Sequence, residues 1–239
     1  MSISPSAVNS GRCSENPATR RCRKRSAATC TPITRKSTAY PTRSKAANPM
    51  EKPRGRAGAG TYWHSDVAFK VRPAAASVLH AVEIPGVGGD TLFCNMTAAY
   101  EALSGAMKKM LAPLRAINDF AQSAANQFAK PIVVEDDLTG ANRAVHPVVR
   151  THVETGTKSL FVNPGTTTQL ENFHAGESDA LLGQLFRHAT KPEFCIRHRY
   201  AQGDVVMWDN RTLMHYAVND YGDQPRYMER TTAIGEVPE

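Results

Sequence analysis

No apolar run in this 239-residue chain approaches the length of a membrane span, and no short apolar core of a secretory signal stands near its start. Membrane insertion and export are therefore set aside, and a cytoplasmic protein is expected. Cysteine is scarce: five residues, at positions 13, 22, 30, 94 and 195. The odd total argues against a disulfide framework, and no spacing suits a zinc ribbon or a redox Cys-x-x-Cys pair, which fits a reducing compartment. Without a secretory signal, Asn95-Met-Thr97 and Asn210-Arg-Thr212 are chance matches to the glycosylation pattern. The Gly-rich stretch 55–60 has no strand before it and no Lys-Ser/Thr after it, which excludes a nucleotide loop. There is no internal repeat.

Acidic residues are nearly absent from the first quarter. Residues 1–60 hold thirteen Lys and Arg against two Glu, a balance of +11, whereas residues 61–239 hold sixteen against twenty, a balance of −4. The formal charge of +7 thus belongs to one segment. That segment is rich in Ser, Thr, Pro and Arg, contains Arg20-Arg-Cys-Arg-Lys-Arg25, and lacks any sustained apolar period. Such a stretch buries too little apolar surface to offset its ordering entropy, so a disordered tail is expected over 1–60. A nucleic-acid-binding arm, a transit-type presequence, and an altered start or shifted reading frame compete to explain it, and the last is preferred.

From Thr61 the pattern changes to short β-rich runs separated by Gly and Pro. Ala76–Ile84 reads as a strand closed by Pro85-Gly86, and Gly88-Gly-Asp90 as a tight turn into Thr91–Cys94. A helix capped by Thr97 and running to about Leu111 follows from Ala99, Leu103, Met107 and Met110. Residues 112–144 have little period and read either as a long excursion over an active site or as an irregular connection. Strands return at Val145–His152, Lys158–Asn163 and Phe194–Tyr200, with an amphipathic helix over Glu177–Ala189. Val205–Asp209 and Met228–Ile234 are closing strands. Many short strands with few helices point to a mainly β fold of sandwich or jelly-roll type.

His64-Ser-Asp66 and the distant His215, within Trp208-Asp-Asn-Arg211 and three further residues, offer two imidazoles and one carboxylate. That donor set suits a divalent iron held on one face, with the other face open. His64 and Asp66 reach one ion if the Trp63–Phe69 segment is extended, because residues two apart on a strand share a face.

The body from about Thr61 to about Val237 resembles the taurine dioxygenase family, which includes the aryloxyacetate dioxygenases. The resemblance is carried by Trp63-His-Ser-Asp-Val-Ala-Phe69, Gly88-Gly-Asp-Thr-Leu-Phe93, His146-Pro-Val-Val-Arg-Thr-His152, Leu160-Phe-Val-Asn163, Lys191-Pro-Glu-Phe194 and Trp208 through His215 to Arg226-Tyr-Met-Glu-Arg230. It implies a double-stranded β-helix with flanking helices, incomplete on its N-terminal side, and an Fe(II)- and 2-oxoglutarate-dependent dioxygenase that consumes O2. It implies metal ligands His64, Asp66 and His215, and Arg226 and Thr91 on the far carboxylate of 2-oxoglutarate. Arg230 and the backbone of Val67 would meet a small anionic substrate; Phe120, in Asn118-Asp-Phe120, either lines the pocket or packs in the core. Arg230 paired with Glu229 or Glu236 on the surface is the alternative. Trp208 and Asn210 are expected to shape the turn before His215. The substrate implied is taurine or a related sulfonate, releasing sulfite, with sulfate esters and aryloxyacetates open.

Family members carry roughly a hundred residues before the His-x-Asp segment, with an asparagine shortly before the His. Here Gly60 and Thr61 stand near that position. Impaired activity is expected, and the alternatives are a relic whose basic tail binds nucleic acid and a metal-binding jelly roll without oxygenase activity. Oligomeric state is left open.

Overall fold

The computed structural model describes residues 38–42, 60–122 and 142–239, all within the unit Ile33–Glu239. The chain is mostly β with few helices. Among the described residues, four antiparallel sheets account for twelve strands. The largest runs β1 (Thr38–Thr42), β12 (Arg226–Ile234), β2 (Ala74–Glu83), β10 (Val205–Asp209). A second runs β11 (Leu213–Ala217), β3 (Thr91–Asn95), β9 (Cys195–His198), a third β5 (Arg143–Pro147), β4 (Arg115–Asp119), β8 (Thr167–Leu170), and a fourth pairs β6 (Val149–Thr151) with β7 (Lys158–Leu160).

Thr38–Thr42 amends the expectation that residues 1–60 hold no regular structure. Its Thr-Ala-Tyr-Pro-Thr sequence combines strand formers with a proline that an edge strand tolerates, and β1 is the edge of its sheet. The remainder of the basic segment, with Cys13, Cys22 and Cys30, lies outside the described residues, as does 123–141 of the expected excursion. Residues 115–119 of that excursion form β4 instead of irregular chain.

The helix expected from Thr97 to Leu111 is two helices, α1 (Met96–Glu101) and α2 (Gly105–Leu111). Asn95, not Thr97, caps the first: its side chain accepts from Ala98 N at 2.9 Å, while Thr97 Oγ1 bonds Ser159 Oγ at 2.7 Å. Ser104 caps the second by accepting from Met107 N at 3.2 Å, and a serine that satisfies orphan amides there ends one helix and starts another. The third helix, α3 (Ala175–Ala189), buries Leu182 and Leu185 on one stripe, and the Glu177 carboxylate accepts from His174 N ahead of it. Together α1, α2 and α3 enclose a core with Met96, Leu111, Val148, Leu160, Leu170 and Met214. No helix among the described residues is long and apolar enough to cross a membrane.

The turn before β3 places the second sheet. Gly88 and Gly89 have φ of +82° and +73°, and a Cβ on Gly88 would stand 2.4 Å from Asp220 Oδ1. Two glycines are needed because the backbone must be left-handed and close to Asp220, whose carboxylate accepts from Gly89 N at 2.8 Å.

Candidate active site

His64 enters the site on a single antiparallel bridge. Its N donates to His215 O at 3.0 Å and its O accepts from His215 N at 2.8 Å, so the two imidazoles leave neighbouring backbones side by side. Their ring centroids lie 4.1 Å apart. The extended segment expected over Trp63–Phe69 ends there: Asp66 lies in a turn, Val67 has φ of +55°, and Lys70 N closes on Val67 O at 3.0 Å. A β-branched residue in the left-handed region is strained, and here it turns the chain away immediately after Asp66. The side chains nevertheless converge. One donor atom from each of His64, Asp66 and His215 lies within 4.8 Å of the others, and each Nε2 stands 3.9 Å from Asp66 Oδ1.

The electrostatics suit a cation. His64 Nδ1 is 2.8 Å from Tyr62 O, and since a carbonyl only accepts, that nitrogen carries the hydrogen and Nε2 keeps its lone pair. Burial pushes His64 below the ordinary imidazole range. Burial, with His64 alongside, takes His215 down to about 3. Burial alone would raise the Asp66 carboxyl, but Arg230, then His215, His64 and the Ser77 hydroxyl, outweigh it and hold Asp66 well below the usual carboxylate range. Two neutral imidazoles and an ionised carboxylate are the protonation states that metal ligation requires, so these residues fit a bound Fe(II). His215 Nδ1 has no hydrogen-bond partner among the described residues.

Behind Asp66 stands a buried polar chain that sequence reasoning missed. Ser77 Oγ donates to Asp66 Oδ2 at 2.5 Å and accepts from Asn210 Nδ2 at 3.0 Å, while Asn210 Oδ1 accepts from Asp66 N at 3.2 Å and Trp208 Nε1 at 3.0 Å. Asn210 and Trp208, expected to shape a turn, thus also orient the carboxylate. The signal for Ser77 was a small polar residue among apolar neighbours in a strand. Its meaning depends on the β2–β10 register that sets it opposite Trp208. A glycine also fits the site closely: a Cβ on Gly165 would lie 2.6 Å from Tyr62 and 3.0 Å from His64.

On β12, Arg226 and Arg230 flank the buried Met228, while Glu229 between them is exposed. Arg226 Nε donates to Gly89 O at 2.9 Å, and its guanidinium lies 5.8 and 5.9 Å from the ring centroids of Tyr200 and Tyr221. Arg230 Nη1 donates to Asp66 Oδ1. This replaces the surface alternative: Glu229 faces His80 and Tyr227, and Glu236 pairs with Arg150 and Arg211. Thr91 is buried at the start of β3 and accepts from Tyr200 OH at 2.9 Å. Phe120 stacks on Phe69, three residues past Asp66, with centroids 4.6 Å apart.

The family described as taurine catabolism dioxygenase TauD, TfdA family matches residues 16–232, beginning well ahead of the Thr61 where the sequence resemblance was placed. A Schizosaccharomyces pombe protein whose given name proposes an alpha-ketoglutarate-dependent sulfonate dioxygenase is 42% identical over 178 residues, 74% of this chain and 45% of that protein. An alpha-ketoglutarate-dependent sulfate ester dioxygenase of Pseudomonas putida is 35% identical over 182 residues, 74% of this chain and 60% of that protein. The crystal structure of a taurine dioxygenase from Burkholderia xenovorans superposes with a TM-score of 0.68 at 33% identity, covering 84% of this chain and 65% of that one. The chain spans about half the length of the curated relatives it matches.

Proposed function

We propose, from the premise that this chain belongs to the taurine catabolism dioxygenase TauD, TfdA family, that it hydroxylates a small anionic substrate, a sulfonate or sulfate ester. The observation that carries this is the convergence of His64, Asp66 and His215, with Arg230 bonded to the same carboxylate. His64, Asp66 and His215 would hold Fe(II). When bound, Fe(II) with 2-oxoglutarate and O2 supplies the oxidising power for hydroxylation, and the 2-oxo acid leaves as succinate and carbon dioxide.

The residues of the chain do the rest. Ser77 and Asn210 fix the Asp66 carboxylate, and the Tyr62 carbonyl fixes the His64 tautomer. Arg226 and Thr91 receive the far carboxylate of 2-oxoglutarate, because a planar guanidinium grips a carboxylate by two parallel bonds. Arg230 takes the anionic head of the substrate and, with the Val67 backbone, brings the adjacent carbon to the iron. Phe69 and Phe120 keep water from that carbon. Hydroxylation next to a sulfonate gives a product that collapses to an aldehyde and sulfite, and taurine is one such substrate. In the same reading a jelly roll occupies residues 61–239, with β1 added at its edge.

The experiment is an anaerobic titration of Fe(II) and 2-oxoglutarate followed by the visible charge-transfer band. The band is expected in the wild type and not in His215→Ala, with sulfite released from an alkyl sulfonate once oxygen is admitted. A wild type without the band overturns the proposal.

A further inference from the structure

Resting on that reading, the geometry points to Tyr200 as a positioning residue of the 2-oxoglutarate pocket: its phenol commits the Thr91 hydroxyl to donate to the cosubstrate.

A threonine hydroxyl has one hydrogen. Thr91 Oγ1 accepts from Tyr200 OH at 2.9 Å, so its own hydrogen must turn elsewhere. Thr91 is 3% exposed, and among the described residues no acceptor is recorded for that hydrogen. A buried hydroxyl hydrogen without an acceptor costs about 1–3 kcal/mol, so the site is built for a ligand that accepts there. A carboxylate oxygen is such an acceptor, and a hydroxyl already polarised by a donor on its oxygen is a stronger donor itself.

Tyr200 is held in this role from two sides. His198, directly across from Thr91 in the β3–β9 register, meets the tyrosine ring edge-on with centroids 4.6 Å apart, and the Arg226 guanidinium lies 5.8 Å from the same ring. One phenol therefore touches both residues assigned to the far carboxylate. Burial raises the Tyr200 pKa, which keeps the phenol protonated and a donor. A phenylalanine would keep the ring contacts with His198 and Arg226 but leave the Thr91 hydroxyl unpolarised and free to rotate away from the cosubstrate.

The test is a double-mutant cycle of Tyr200→Phe and Thr91→Val in the full chain, read as the anaerobic dissociation constant of 2-oxoglutarate at saturating Fe(II). Tyr200→Phe is expected to weaken 2-oxoglutarate about tenfold, to leave the Fe(II) dissociation constant unmoved, and to add nothing in the Thr91→Val background. It should also leave unchanged the binding of 2-oxobutyrate, which has no far carboxylate. Equal effects in both backgrounds, a like effect on 2-oxobutyrate, or unchanged 2-oxoglutarate binding would each overturn the inference alone. Failure of the wild type to bind 2-oxoglutarate overturns the underlying reading, and this inference with it.

Discussion

Ser77→Ala removes one oxygen from a fully buried site and tests whether the polar chain behind Asp66 orients the metal ligand or merely holds two strands together. The Ser77 hydroxyl donates to Asp66 Oδ2 at 2.5 Å and accepts from Asn210 at 3.0 Å. Its loss removes a bond to a charged group, worth about 1.5–3 kcal/mol, and strands the Asn210 amide hydrogen. The metal-free protein should therefore be less stable by about 2–4 kcal/mol. Partners of this kind also set metal affinity, typically by 10–100-fold. The two effects separate in denaturant melts with and without Mn(II), a redox-stable stand-in for Fe(II). At a Mn(II) concentration 100 times its dissociation constant, the wild type gains about 2.7 kcal/mol, and a variant weakened tenfold or a hundredfold gains about 1.4 or 0.4 kcal/mol. If Ser77→Ala loses stability but keeps the full increment, Ser77 is a strand contact alone and the orientation reasoning fails.

Three further outcomes follow from the same geometry. Because His215 is held near a pKa of about 3 against an unfolded value near 6.5, the unfolded chain binds its proton first. The metal-free protein is therefore most stable above pH 6.5, and this one group withdraws about 2 kcal/mol by pH 5. Urea midpoints from pH 7.5 to 5 check it, and a His215→Phe variant should show a flatter profile. Arg230→Ala takes a positive charge off Asp66, so Mn(II) should bind about tenfold tighter while an alkyl sulfonate binds about a hundredfold more weakly, both readable by calorimetry. Gly165→Ala sets a methyl 2.6 Å from the Tyr62 ring and 3.0 Å from His64 Cβ, and should cost about 1–3 kcal/mol in thermal melts together with weaker Mn(II) binding.

What was legible in the sequence was local or already bound into motifs. The strands at Ala74–Glu83, Thr91–Asn95 and Val205–Asp209 were visible because alternation and turn residues are short-range signals, and the donor set of His64, Asp66 and His215 because its chemistry shows in residue type. Ser104 was passed over within a helical period because a cap acts on one turn, whereas apolar spacing is read over several. Strands β4, β8 and β11 were missed because each takes its pairing from distant partners, with no alternation or turn signal in its own sequence to mark it. The bonds from Ser77 to Asp66 and from Tyr200 to Thr91 span 11 and 109 positions, and nothing in the intervening sequence links them.

Strand β12 is hydrogen-bonded on both edges, to β1 through Thr38–Thr42 and to β2. Its arginines therefore act as marks on a fixed ruler: four residues at about 3.3 Å each put their α-carbons about 13 Å apart. If, as proposed, Arg226 grips the co-reactant and Arg230 the acidic head of the second molecule, the span left for an oxidisable carbon is short. Chain length, more than head-group chemistry, would then decide which anions are processed, and long-tailed ones would be accepted only if the tail leads away from the ruler.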